Sequence, residues 1–387
     1  MRAKLDTILK DAVARGDVPG VVAMATNAEG KTYEGGFGKR ALGRSEDMTP
    51  DTVAWIASMT KALTGAAAMK QVERGKLELD APAKDVLPAL GEVGVLEGFD
   101  AAGKPRTRKA KRDITLRHLL THTAGFGYDI WNADIAKYRE VTGVPGVISC
   151  QNAALTTPLL FDPGERWNYG IAIDWAGKMV EAVAGRKLGQ VLRDDILGPL
   201  GMNDTAFRIS PAMRTRLAKV HHRAPDGALV ADMALELPQE PEFEMGGGGL
   251  YGTAGDYLAF VRMMLNEGRA DDGKAVFRPE TAALMSRNAM GASRVTMLRT
   301  AAPLYSNDAE FFPGLDKRWS LSFMTNAEDA PTGRAAGSLA WAGLANTYYW
   351  IDRKKGVGGV FLTQILPFAD VKSLPLFHAF EKAVYDG

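Results

Sequence analysis

Ser58 and Lys61 stand three residues apart in Trp55-Ile56-Ala57-Ser58-Met59-Thr60-Lys61-Ala62-Leu63. Leu63, Ala66, Met69 and Val72 follow at helical spacing as far as Arg74-Gly75. The hydroxyl and the amine therefore share one face at the start of a buried helix. Unpaired N–H groups and the positive end of the helix dipole favour negative charge on a serine oxygen there. The same field, together with burial, disfavours an ammonium on Lys61 and leaves an amine able to take the hydroxyl proton. A serine that only caps a helix would produce the same four residues, so companions must decide.

Two further stretches carry suitable groups. Asp162-Pro163-Gly164-Glu165-Arg166-Trp167-Asn168-Tyr169-Gly170-Ile171 places a tyrosine after a Pro-Gly turn and ahead of a helical segment. A phenol beside a lysine ammonium would have a depressed pKa and could share the role of base; a buried core tyrosine is the plainer reading. Ser338-Leu339-Ala340-Trp341-Ala342-Gly343-Leu344 reads as a strand. Gly343, a small residue at its edge, would let substrate approach the backbone, and an edge N–H could bind an oxyanion.

In this order and spacing the three stretches resemble the class C β-lactamase fold, and within it the family VIII carboxylesterases. Leu119-Leu120-Thr121-His122-Thr123-Ala124-Gly125-Phe126 and Gly246-Gly247-Gly248-Gly249-Leu250-Tyr251-Gly252-Thr253-Ala254-Gly255-Asp256 agree with that resemblance. It spans the chain from about Val18 to the last strand. It implies that Ser58 is the acylated nucleophile, that Lys61 and Tyr169 form its general base, and that the N–H groups of Ser58 and Leu344 form the oxyanion hole. Substrate binding would fall to Trp341, Gly343, Ile171, Phe126 and Tyr128, with Trp131 also walling a small acyl pocket. Penicillin-handling relatives carry Asn where this chain has Ile171, and Lys-Thr-Gly where it has Trp341-Ala342-Gly343. An apolar Ile and Trp leave a substrate amide and carboxylate unpaired, at roughly 1–3 kcal/mol each. The expectation is therefore a carboxylesterase for small short-acyl esters, with weak β-lactam hydrolysis as a side activity. The alternatives are an acyltransferase on the same scaffold, a D-amino-acid peptidase, or a non-catalytic penicillin-binding-like module.

The elements that must hold these groups follow from pattern. Helical spacing covers Leu5 to Arg15, and Val21 to Ala25 with Lys31 to Glu34 flank a turn as a hairpin. Trp319 to Phe323, Ser338 to Trp341, Thr347 to Ile351 and Gly358 to Thr363 read as strands before a helix from Val371 to Tyr385. Helical patterns over Leu116 to Leu120, Ile173 to Ala184, Leu188 to Ile196 and Asp256 to Leu265 fill the middle. The expected fold is α+β and β-lactamase/penicillin-binding-protein-like. Residues 1–80 and 310–387 would form an antiparallel sheet flanked by the terminal helices. Residues 81–309 would form an inserted, mainly helical domain, with the site in the cleft between them.

Bulk properties exclude several classes. The 387 residues carry a net charge of +1, which gives no reason to expect nucleic acid or a membrane surface as partner. The basic run Lys104, Arg106, Arg108, Lys109, Lys111 and Arg112 reads as a solvated loop. Cys150 is the only cysteine, so no internal disulfide forms, and the first residues lack a secretory pattern. A cytoplasmic enzyme with a small-molecule ester substrate and no cofactor is expected. His118 and His122 lack the accompanying pattern of a zinc site, and His122 is expected to hydrogen-bond a loop. His221-His222 is read as surface, Cys150 as inert, and Gly246 to Gly249 as a flexible turn beside the cleft.

Overall fold

The computed structural model describes residues 1–387. Its main feature is a seven-stranded antiparallel sheet made from both ends of the chain. The hairpin Gly20–Asn27 and Lys31–Gly38 forms one edge, and Gly20–Asn27 pairs with Val357–Leu362. The sheet continues through Thr347–Asp352, Leu339–Gly343, Met324–Asn326 and Lys317–Trp319. One expected strand differs. Trp319 to Phe323 does not run straight, because Ser322 takes a left-handed φ of 83° and the chain turns between two short strands.

Side-chain alternation assigns the two faces of the sheet. Tyr348 stacks on Phe377 of the helix Ser373–Tyr385 at 4.6 Å, and the helix Arg2–Ala14 packs beside it. The adjacent Tyr349 meets Tyr257 of the helix Ala254–Leu265 at 4.9 Å on the other face. That second helix lies within the stretch expected to build the helical domain. It packs on the sheet instead, with Arg262 donating to the Thr26 hydroxyl, so the expected boundary at 309 does not hold there. Its own N-terminus is tied to the N-terminal part of the chain by the strand Tyr251–Thr253, which pairs with Val53–Trp55.

The helix Thr60–Glu73 is buried along most of its length and packs against Ala172–Ala184. Ala62, Ala66, Ala67 and Ala68 keep its surface thin enough for close packing. A contiguous core of 103 buried residues runs from the sheet through these helices, so the site between them rests on rigid packing and not on a hinge.

Candidate active site

Ser58 lies in a single helical turn, Ala57–Met59, directly ahead of the helix Thr60–Glu73. Ala57 holds a left-handed φ of 44°, an uncommon conformation for a residue with a side chain. Strain of this kind is found at sites where a sharp turn must present a side chain. Neither the Ser58 N–H nor the Leu344 N–H donates to another backbone group. Gly343 explains why these two free donors are neighbours. A Cβ there would lie 2.3 Å from the Ile56 carbonyl oxygen and 2.2 Å from Thr347 Oγ1. The missing side chain thus makes room for the nucleophile's own backbone, and not for substrate as the sequence suggested.

Lys61 is fully buried and has three polar neighbours. Its Nζ lies 3.1 Å from Ser58 Oγ, 3.0 Å from the Tyr128 hydroxyl, and in a short contact with the Gly247 carbonyl. The ammonium can donate to all three oxygens; the neutral amine donates to Tyr128 and Gly247 and turns its lone pair to the serine, so both protonation states are accommodated. Burial pushes the Lys61 ammonium down to about 7, against the pull of the Asp174 carboxylate. That makes it a competent base near neutrality.

Tyr169 does not follow the expected depression. Burial pushes its phenol up, although hydrogen bonds with Ser58 and Trp341 work the other way. The lysine beside it, with its ammonium pushed down to about 7, carries only part of a positive charge near neutrality, and burial of the phenol outweighs it. The Trp341 indole N–H donates to the Tyr169 hydroxyl at 3.0 Å. Tyr169 is therefore an oriented, protonated phenol next to the nucleophile.

Several of the expected substrate-binding residues have other positions. Trp341 is buried against Trp319 at 4.6 Å and Phe311 at 5.7 Å. It borders a void of about 10 Å³, room for a single water. Phe126 is buried and stacks on Trp175, and its carbonyl would be 2.4 Å from a Cβ on Gly170. Ile171 is buried in the core where the helix Ala172–Ala184 begins. Tyr128 meets Lys61 and has no face on the open pocket. The open space lies elsewhere. A pocket of about 200 Å³ reaches Leu344 and is lined by Trp55, Ile130, Val147, Leu235 and Leu366.

Sequence reasoning also missed the role of the glycine run. Gly246 to Gly249 is a clamped loop, not a flexible turn. The Gly246 carbonyl accepts from Thr64 Oγ1 at 2.8 Å, and the Gly248 carbonyl accepts from the Trp55 indole at 2.8 Å. The Gly247 N–H donates to Asp174 Oδ1 at 2.7 Å. Other histidine readings change as well. The ring nitrogens of His122 have no partner; the ring is packed 4.8 Å from Tyr169 and 5.1 Å from Trp319, leaving no room for a loop acceptor. Its carbonyl does the holding, accepting the Asn168 N–H at 2.9 Å. His221 is buried, not at the surface, because its Nε2 accepts the Leu42 N–H at 3.0 Å. Cys150 is buried, which pushes its thiol up to about 12. No group of His, Cys, Asp and Glu side chains is arranged to hold a metal, and no helix is long and apolar enough to cross a membrane.

A serine on a strained turn, a lysine whose ammonium is weakened by burial, an oriented phenol and two free N–H groups are together able to support acyl transfer through a serine, on the β-lactamase and penicillin-binding-protein fold. The chain belongs to the beta-lactamase family, whose model matches residues 5–380. It is similar to monacolin J acid methylbutanoyltransferase of Aspergillus terreus, at 32% identity over 98% of this chain and 95% of that protein. It is also similar to the lovastatin esterase of Penicillium rubens, at 31% identity over 98% of each. Among solved structures, a mutant of simvastatin synthase from Aspergillus terreus superposes with a TM-score of 0.86. It is 33% identical, over 99% of this chain and 94% of that one.

Proposed function

We propose that this protein is a serine acyltransferase, passing an acyl group through Ser58 to a bulky apolar alcohol, with water as a competing acceptor. The observation that carries the reading is the pocket beside Leu344. Its volume of about 200 Å³ exceeds the roughly 150 Å³ of an engineered apolar cavity that takes benzene. A short-acyl ester would leave much of it empty, whereas an alcohol of bicyclic size would fill it. The likeness to a methylbutanoyltransferase supports transfer over simple hydrolysis, and so moves the balance away from the small-ester esterase expected from sequence.

The geometry supports the following steps. Lys61 takes the Ser58 proton as Oγ attacks the acyl carbon, and the N–H groups of Ser58 and Leu344 receive the negative carbonyl oxygen. The bond to the donor's leaving oxygen or sulfur then breaks. The proton returns to that atom from Lys61, with Tyr169 positioned to relay it. Deacylation runs the same path in reverse. The acceptor hydroxyl gives its proton to Lys61 and attacks the acyl carbon, the bond to Ser58 Oγ breaks, and Lys61 returns the proton to Oγ.

Hydrolysis is the second reading, favoured by the likeness to a lovastatin esterase. The deciding experiment uses p-nitrophenyl butyrate as donor, with and without decahydro-2-naphthol. Transfer predicts the butyryl ester of the alcohol as the main product and faster p-nitrophenol release as alcohol is added. Butyrate alone, at a rate indifferent to the alcohol, would overturn it in favour of hydrolysis.

A further inference from the structure

Asp174 is a buried carboxylate that the steps above do not use. It lies in the first turn of the helix Ala172–Ala184 and is 1% exposed. Burial raises its carboxyl to about 6, against the pull of Lys61 and the Gly247 N–H, so the group is ionised above that value and carries its charge where Lys61 works. Asp174 forms no ion pair within contact distance. One oxygen accepts the Gly247 N–H at 2.7 Å, and Oδ2 has no partner. A Cβ on Gly247 would come 2.5 Å from that Oδ2, so the glycine lets the loop sit directly on the carboxylate. The carbonyl of the same Gly247 accepts a hydrogen bond from Lys61.

We propose that Asp174 is a positioning residue of the acyl-transfer centre, acting on Lys61 through Gly247 and by its charge. This rests on the reading of Ser58 and Lys61 given above. The carboxylate fixes the loop by its N–H, and the loop fixes the amine by its C=O. When Lys61 takes the serine proton, an ammonium forms in a site closed to water. Asp174 is then the one carboxylate near enough to balance it. The other titratable groups facing this centre are Tyr128, Tyr169, His122 and Cys150, all held neutral by burial. The arrangement thus divides the work: Lys61 moves the proton, and Asp174 holds the site's charge in balance while it does so.

The test is the pH dependence of Ser58 acylation by p-nitrophenyl butyrate in wild type, Asp174→Asn and Gly247→Ala. The added methyl of Gly247→Ala pushes the carboxylate off the loop without removing it. Losing the nearby negative charge disfavours the ammonium, so the acid limb should move to lower pH by about one pH unit in Asp174→Asn. The rate at the plateau should fall about tenfold or more, because the base is weaker and less well held. A role confined to packing predicts the opposite. Loosening the core admits water, relieves the burial of Lys61 and moves the limb to higher pH. A limb that stays in place or moves upward in a folded Asp174→Asn overturns the proposal. If that variant does not fold, the limb of Gly247→Ala decides by the same criterion. Burst acylation that persists in Ser58→Ala would instead overturn the underlying reading, whatever the limbs do.

Discussion

Replacing Gly343 with Ala tests the oxyanion hole without removing a polar atom. The added methyl would sit 2.3 Å from the Ile56 carbonyl oxygen and 2.2 Å from Thr347 Oγ1. Carbon and oxygen atoms need about 3.2 Å or more, so the strand edge and the nucleophile turn must part by about 1 Å. Thr347 can rotate, but Ile56 contributes main chain and cannot. An N–H to oxygen distance of about 2.9 Å would become about 3.9 Å, too long for a hydrogen bond. Losing one oxyanion donor costs about 10²–10³ in kcat, roughly 2.7–4 kcal/mol of transition-state stabilisation. Overpacking should also lower folding stability by roughly 1–3 kcal/mol. The assay is the burst rate of Ser58 acylation, followed by mass spectrometry of the acyl-enzyme, with melting temperature measured alongside. Gly343→Ala combined with Thr347→Ala removes the side-chain clash but leaves the carbonyl clash, so it should recover stability more than rate. A Gly343→Ala protein that acylates within about twofold of wild type would refute the coupling of the strand edge to the nucleophile.

Ser58→Ala should show no acyl-enzyme at all and an almost unchanged melting temperature, because the Oγ engages few side chains, those of Lys61 and Tyr169. Activity should be lost as pH falls through about 7, since Lys61 must be neutral to act and its ammonium forms below that value; a flat kcat/KM profile from about pH 6 to 9 would contradict the role of lysine as base. Tyr169→Phe should slow acylation about 10²-fold, and Trp341→Phe, which deletes the indole N–H on the phenol, about tenfold; full activity in Tyr169→Phe would leave Lys61 acting alone. Leu235→Trp, which fills the pocket beside Leu344, should lower transfer to decahydro-2-naphthol while leaving hydrolysis of p-nitrophenyl butyrate in place. Product partition measured by chromatography reads that change directly.

The approach of Lys61 to Ser58 was legible because a helix brings residues three apart together without help from the rest of the fold. The terminal hairpin and the strands Thr347–Asp352 and Val357–Leu362 were legible for a similar reason, since turn residues and β-prone runs are local signals. What the sequence hid was set by contacts distant in the chain. Trp341 looks like a pocket wall until its indole is seen on a hydroxyl 172 positions away. Gly343 looks like an opening for substrate until Ile56 is found occupying it. The glycine run looks flexible by composition, yet Thr64, Trp55 and Asp174 hold it from three separate elements. The phenol of Tyr169 was assigned a low pKa from its neighbour alone, and burial outweighed that neighbour.

The sheet draws its central strands from the last part of the chain, and this bears on when the enzyme becomes reactive. Ser58 and Lys61 leave the ribosome well before Trp341, Gly343 and Leu344. Until the strand Leu339–Gly343 docks beside the turn at Ile56, the serine lacks one of its two oxyanion donors and the phenol lacks its indole partner. A growing or prematurely ended chain therefore carries its nucleophile in a dormant state. Docking of that strand is the step that arms it.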